Sequence, residues 1–125
     1  MYPPIFLVCA AVPAVTAVLG VEPVRLWPFD SAPAQGDDFY ALPYAVWQTV
    51  GGSPENYIDT TPDIDSHTLQ VDVYDLNASS ARGAAEALRN AIEPHAHIVS
   101  WRGESFERDT QLYRYSFDVD WWVPR

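Results

Sequence analysis

Three side chains that could bind a divalent cation occur at every second position of one segment: Asp63, Asp65 and His67. Alternate residues of a β-strand point to the same face, so two carboxylates and an imidazole could surround one metal ion. The same residues stand where a turn leads into a strand, which is the usual place for solvated polar side chains. A solvated surface is the favoured interpretation, and a small metal-dependent hydrolase is kept as an alternative.

The other candidates for catalysis lack the neighbours that their chemistry needs. His95 and His97 follow a predicted helix and have no cysteine or further histidine nearby. No serine stands in a G-x-S-x-G context, and no glycine-rich phosphate loop is present. Asp118 and Asp120 share one face of the last predicted strand, where they indicate an acidic surface rather than acid–base catalysis. The sequence therefore predicts a protein that is not an enzyme and that holds no cofactor or metal.

The charge balance excludes one large class of function. Seventeen acidic residues against seven basic ones give this 125-residue chain a formal net charge of -10, and every basic residue is arginine. A nucleic-acid binder needs a cationic surface that displaces counterions from phosphates, so the balance argues against that class. An apolar content of 48% is sufficient for one core. The single cysteine, Cys9, excludes an internal disulfide.

The apolar run at residues 5–20 predicts a buried helix rather than a membrane span or an export signal. A spanning helix needs about 20 apolar residues, whereas this run is shorter and contains Pro13. An export signal begins with basic residues, and the first basic residue here is Arg25. Pro13 is expected to break or kink the helix near Ala11, and Gly20 is expected to end it.

The rest of the chain alternates between strand patterns and one helical pattern. Strands are expected at residues 24–27, 42–50, 67–74, 98–106 and 112–123. A helix is expected between Asn77, as its N-cap, and Pro94, with an apolar stripe formed by Ala81, Ala84, Ala85, Leu88 and Ile92. The glycine-rich residues 51–54 are expected to end the second strand. The sequence predicts one α+β domain over residues 1–125, with a mainly antiparallel sheet of four to five strands and two helices packed on one face.

Five tryptophans are more than one thin core of this size is expected to bury. Trp121 and Trp122 are adjacent in the last predicted strand, so their side chains point to opposite faces. If one of them packs inward, the other faces solvent or a partner. Because Trp, Tyr and Arg are enriched at protein interfaces, this pattern favours a component of an assembly.

Several short motifs occur in a fixed order over nearly the whole chain. They are AVTAVLG at 14–20, LPYAVWQ at 42–48, GSPE at 52–55, QVDVY at 70–74 and DTQLYR at 109–114. With the Ala-rich helix after Asn77 and the aromatic last strand, this order resembles the tail-completion, or tail-terminator, proteins of long-tailed bacteriophages. That group includes the terminator of lambda-like siphophages.

The resemblance implies a structural virion protein without enzymatic activity. It implies a hexameric ring at the head-proximal end of the tail tube, where it stops tube polymerisation and presents the surface that joins the filled head. The implied partners are other copies of the chain, the tail tube protein and a neck or connector protein, assembled in the host cytoplasm without a membrane. DNA would pass through the lumen without specific binding, and a strongly acidic ring is compatible with that passage because like charges repel.

The side chains expected at the interfaces of such a ring are Trp122, Tyr57, Arg102, Asp59 and Glu55. The resemblance implies that loops at the ring faces meet the tube and the neck. By position, the 51–63 connection is the first candidate for that contact and the 31–38 loop is the second. Another neck or head–tail connector ring remains an alternative, since such a ring binds a different partner but has the same kind of interface between its copies.

Overall fold

The computed structural model describes residues 2–21, 23–30, 42–56 and 60–125. In chain order the elements are α1 (Ile5–Ala10), α2 (Pro13–Leu19), β1 (Leu26–Trp27), β2 (Tyr44–Pro54), β3 (Ile64–Asp75), α3 (Ala78–Ile92), β4 (His97–Glu107) and β5 (Leu112–Pro124). The strands form one sheet in the order β1-β2-β3-β5-β4. All neighbours are antiparallel except β1, which lies parallel to β2. The predicted α+β class with a mainly antiparallel sheet is confirmed.

Pro13 divides the N-terminal apolar run into two short helices, which is the predicted break and gives three helices among the described residues in place of the two predicted. α1 ends at Ala10, and α2 begins with Pro13 at a position where a backbone donor is not needed. Gly20, with a φ of 84°, ends α2 and donates its N–H to the carbonyl of Thr16. Neither segment has the length and apolarity of a membrane span, and neither does any other helix in the described part of the chain.

One apolar core lies between the helices and one face of the sheet. Asn77 caps α3 by accepting a 3.1 Å hydrogen bond from the backbone N–H of Ser80, as predicted. The predicted stripe of α3 is buried in full and packs on the inward residues of β3 and β5, including Leu69, Val71, Val73, Phe117 and Val119. Cys9 belongs to the same core, and burial raises the pKa of its thiol to about 12.

The prediction that residues 51–54 end the second strand is wrong. A register shift between Thr49 and Gly51 keeps β2 paired with β3 as far as Pro54. Gly52 permits this pairing because a Cβ there would clash with the backbone carbonyl oxygen of Ser66. The predicted 51–63 connection therefore starts only after Pro54, and the predicted 31–38 loop lies outside the described residues.

Replacing Leu88 by Ala should lower the free energy of unfolding by about 2–5 kcal/mol, because Leu88 is fully buried where α3 meets the sheet. Denaturant unfolding followed by circular dichroism measures the change. Leu76→Ala is the matched control, since Leu76 is exposed and its loss should change stability by less than about 0.5 kcal/mol. Equal effects of the two substitutions would contradict the assignment of the core to this side of the sheet.

Candidate interface surface

The sheet face opposite the helices carries a polar network around Asp72. The Asp72 carboxylate is fully buried. It accepts hydrogen bonds from Gln70 Nε2 (3.2 Å), Arg114 Nη2 (3.1 Å) and the Ser116 hydroxyl. A buried carboxylate is strongly destabilising unless it is paired and hydrogen-bonded, and here an arginine and two neutral donors meet that requirement. This network keeps a charged group out of water on a sheet face that none of the described helices covers.

Arg102 lies over the same network, on the outermost strand β4. Its Nε donates to Asp118 Oδ2 (3.0 Å), and its Nη1 donates to Gln70 Oε1 (2.9 Å). The Ser100 hydroxyl donates to the same Asp118 oxygen (3.1 Å). About half of the Arg102 side chain stays exposed. This predicted interface residue is therefore already held by the chain, and it can present only its exposed part to a partner.

An open groove of about 500 Å³ crosses this face between the two arginines. Its lining is Gln70, Arg102, Gly103, Glu104, Ser105, Arg114 and Ser116. Arg102 is paired with Asp118, Arg114 with Asp72, and Glu104 with Arg82. The charged side chains of this lining are therefore all paired within the chain, and the groove offers no unpaired charge to a ligand.

Trp122 lies at one end of the same face. Its indole Nε1 donates to Glu55 Oε1 (3.2 Å), and its ring meets the His97 ring edge-on with the centroids 5.9 Å apart. Trp122 is 44% exposed, whereas the adjacent Trp121 is 4% exposed and belongs to the core. The predicted opposite orientation of the two tryptophans is confirmed.

The structure brings together some of the predicted interface residues and separates others. Trp122 and Glu55 are in contact, because Glu55 directly follows β2, whose last residue Pro54 pairs with Asp65, and the next β3 residue lies opposite Trp122. Arg102 shares their face but lies level with Gln70 and Asp118, farther along β5. Tyr57 and Asp59 lie outside the described residues.

Asp65 and His67 share one face of β3, as their spacing predicts, but Asp65 is already paired. Arg125 Nη2 lies 3.1 Å from Asp65 Oδ1, and this hydrogen-bonded ion pair lowers the pKa of Asp65. The centroid of the His67 ring lies 6.4 Å from the centroid of the Tyr2 ring. Among the residues that the structure describes, no three His, Cys, Asp or Glu side chains are placed to hold a metal ion. The geometry gives the hydrolase alternative no support.

The sequence reasoning missed an aromatic pair at the opposite end of the sheet. The ring centroids of Phe106 and Tyr113 lie 4.9 Å apart, and both side chains are exposed. The exposed Leu76 follows the β3 residue that pairs with Tyr113. The alternation of β5 places Tyr113 on the helix side, but there it lies beside Ala78 and Ala81 in the first turns of α3, whose small side chains cover little of it. The sequence signal that could have revealed this pair was the placement of one aromatic residue on each side of the hairpin turn.

Replacing Asp72 by Ala should lower the free energy of unfolding by about 2–3 kcal/mol. The substitution leaves Arg114 without its counter-charge. The expected loss of stability is smaller than is usual for a fully buried pair, because a third of the Arg114 side chain is exposed. Chemical denaturation measures the effect. Asp109→Ala, in the exposed hairpin turn, removes the same charge without a buried partner and should have almost no effect. An unchanged stability of the Asp72 variant would show that the network is not structural.

Comparison with known proteins identifies the family. A family model described as Tail completion protein gp17 matches residues 3–124. A chain of the solved structure described as "Virion of native gene transfer agent (GTA) particle" has the same fold, with a TM-score of 0.62 and 14% identity over 97% of this chain and 92% of that chain. No curated protein matches in sequence. Because the family model extends over nearly every residue, the chain belongs to the family of tail completion proteins, and its role is a structural one in a phage-type tail.

Proposed function

We propose that the protein forms a ring of identical copies, six in number, at the head-proximal end of the tail tube. There it ends tube polymerisation and provides the surface to which the head is joined, each copy acting as one domain over residues 1–125. The observation that carries the proposal is that both ends of the sheet bear exposed aromatic side chains outside a complete apolar core. Such side chains are typical of binding surfaces.

The two ends are separate surfaces. Phe106, Tyr113 and Leu76 lie at one end, where β4 and β5 meet in a hairpin. Trp122 and Tyr2 lie at the other end, since Trp122 pairs with Ser66 and Tyr2 contacts the neighbouring His67. The nine residue steps along β5 from Tyr113 to Trp122 correspond to about 30 Å. The two ends are therefore far enough apart to contact different partners.

Two separate ends fit a protein that stands between two different structures. A terminator ring touches the last ring of the tube on one side and the neck on the other, so each copy needs two axial binding surfaces. Aromatic side chains at the centre of an interface contribute a large part of its binding energy. The partners proposed for these ends are accordingly the tail tube protein and a neck or connector protein, in virions assembled in the host cytoplasm.

The distribution of arginine supports the passage of DNA without binding. Arg82, Arg89, Arg102, Arg114 and Arg125 each form an ion pair within the chain. Few cationic groups are then free to hold phosphates, and the net charge of -10 repels the DNA backbone.

Deleting the gene should produce overlong or headless tails in electron micrographs of the infected-cell lysate, because tube growth would lack its stop and tails would lack the joining surface. Tails of normal length beside unjoined filled heads would instead assign the protein to the connector alternative. Normal virions would contradict both assignments. Complementation with the wild-type gene is the control.

Trp122→Ala should weaken the contact between the ring and its axial partner by at least ~2 kcal/mol, because a large exposed aromatic is removed. The yield of joined particles should fall as a result. Complementation of the deletion, scored by particle counts, measures the loss. The thermal stability of the isolated variant should change little, since the side chain is nearly half exposed. Trp122→Phe keeps an aromatic ring and should retain most of the yield. A full yield with Trp122→Ala would exclude Trp122 from the interfaces.

A further inference from the structure

We propose that neighbouring copies of the chain join edge to edge, with the outer edge of β4 in one copy pairing with the open outer edge of β2, at residues 48–54, in the next copy. This inference rests on the proposed ring and names the lateral surface that closes it. The exposed aromatics at the sheet ends are then left for the axial partners.

The outer edge of β4 is long and open. β4 is the last strand in the sheet order, has 11 residues, and nearly all of them are exposed. Within the described part of the chain, its backbone is hydrogen-bonded only in the ladder with β5. A long edge strand with unpaired N–H and C=O groups is a template for pairing with another strand.

The outer edge of β2 is open over its second half. β1 pairs only with Ala45 and Val46, and the backbone N–H of Asp30 bonds to the carbonyl of Trp47. Beyond that point the described residues supply no outer partner for β2, and residues 49–54 are exposed. The described residues therefore leave two different edges open on opposite sides of one sheet.

The strand directions of the two edges are complementary. Three successive antiparallel pairings separate β2 from β4, so the two strands run in opposite directions. When copies stand side by side with their sheets in the same orientation, β4 of one copy meets β2 of the next in antiparallel fashion. Because the two edges are different surfaces, the contact is heterologous, which is the type that closes rings.

Each open edge carries an exposed valine at a bulge. Val50 lies at the register shift of β2 and is 50% exposed, and Val99 lies at the first register shift of β4 and is 55% exposed. Next to Val50, a Cβ at Gly51 would meet no atom within 4 Å, so the isolated chain has no steric need for glycine there. Glycine within a strand often marks the close approach of another backbone. A neighbouring copy would cover both valines.

Charge also favours backbone pairing between copies. Each copy carries a net charge of -10, and the internal ion pairs named above occupy five of its seven arginines. Identical acidic copies repel one another, and few arginines remain to offset that repulsion through ion pairs between copies. Strand pairing and valine contacts need no cation. Added salt should therefore strengthen the lateral contact by screening the repulsion.

Cysteine cross-linking tests this geometry in the full-length protein. Cys9 is buried with a raised thiol pKa, so it stays unreactive and the wild type serves as the background. A short bis-maleimide added to a mixture of Val50→Cys and Val99→Cys should give a cross-linked dimer, whereas each variant alone should remain monomeric on a denaturing gel. The variant with both cysteines should give a ladder of higher species. A mixture of Leu76→Cys with Val50→Cys is the control, since Leu76 is exposed away from both edges.

Dimers of Val99→Cys alone would mean that two β4 edges meet, and they would overturn the proposal, as would a mixture without dimers. Native mass measurement of the wild type separates this inference from the proposed function. A ring by mass without cross-links in the mixture would reject the edge pairing and leave the ring intact. Cross-links in the mixture together with normal tails in the deletion phage would retain the edge pairing and reject the position in the tail.

Discussion

The structure depends on one constraint, which is that the three described helices pack on the same face of the sheet. Side chains alternate along each strand, so covering one face with α3 commits Leu69, Val71 and Val73 to the core and turns Gln70 and Asp72 to the other face. That second face has no described helix over it, and its charged groups must compensate one another within the plane of the sheet. The pairing of Asp72 with Arg114, across neighbouring strands, is the result.

The same constraint shapes how the chain can bind other proteins. Arginines that pair with internal carboxylates contribute little attraction to a second copy, and the net charge opposes association. For contacts between identical copies this favours surfaces that need no charge, among them the open strand edges and the aromatic side chains at the sheet ends. Under the proposed ring these two kinds of surface serve different contacts, the edges joining copies and the ends meeting the tube and the neck.

Short sequence patterns were sufficient to predict the elements whose stability comes from neighbouring residues. They were insufficient where contact with a residue distant in sequence decides the structure. The cap at Asn77, the break at Pro13 and the inward stripe of α3 follow from short-range geometry, and each was predicted. The extension of β2 through Gly51 and Gly52 was not, because the ladder offered by β3 outweighs the low strand propensity of glycine. Likewise the burial of Asp72 depends on Arg114, which is distant in sequence, so no local pattern could indicate it.

The placement of Trp122 depends both on the local alternation of its strand and on a contact that only the folded chain provides. Alternation alone decides that Trp122 faces away from Trp121, but only the folded chain brings Glu55 to its indole nitrogen. A free surface tryptophan loses rotamer freedom when a partner binds it, and that loss opposes association. Here the hydrogen bond that the indole donates to Glu55 and the contact with the His97 ring restrain the side chain beforehand, while almost half of it stays open to solvent. The isolated chain therefore already restrains this aromatic, which lowers the entropic cost of any contact made through it.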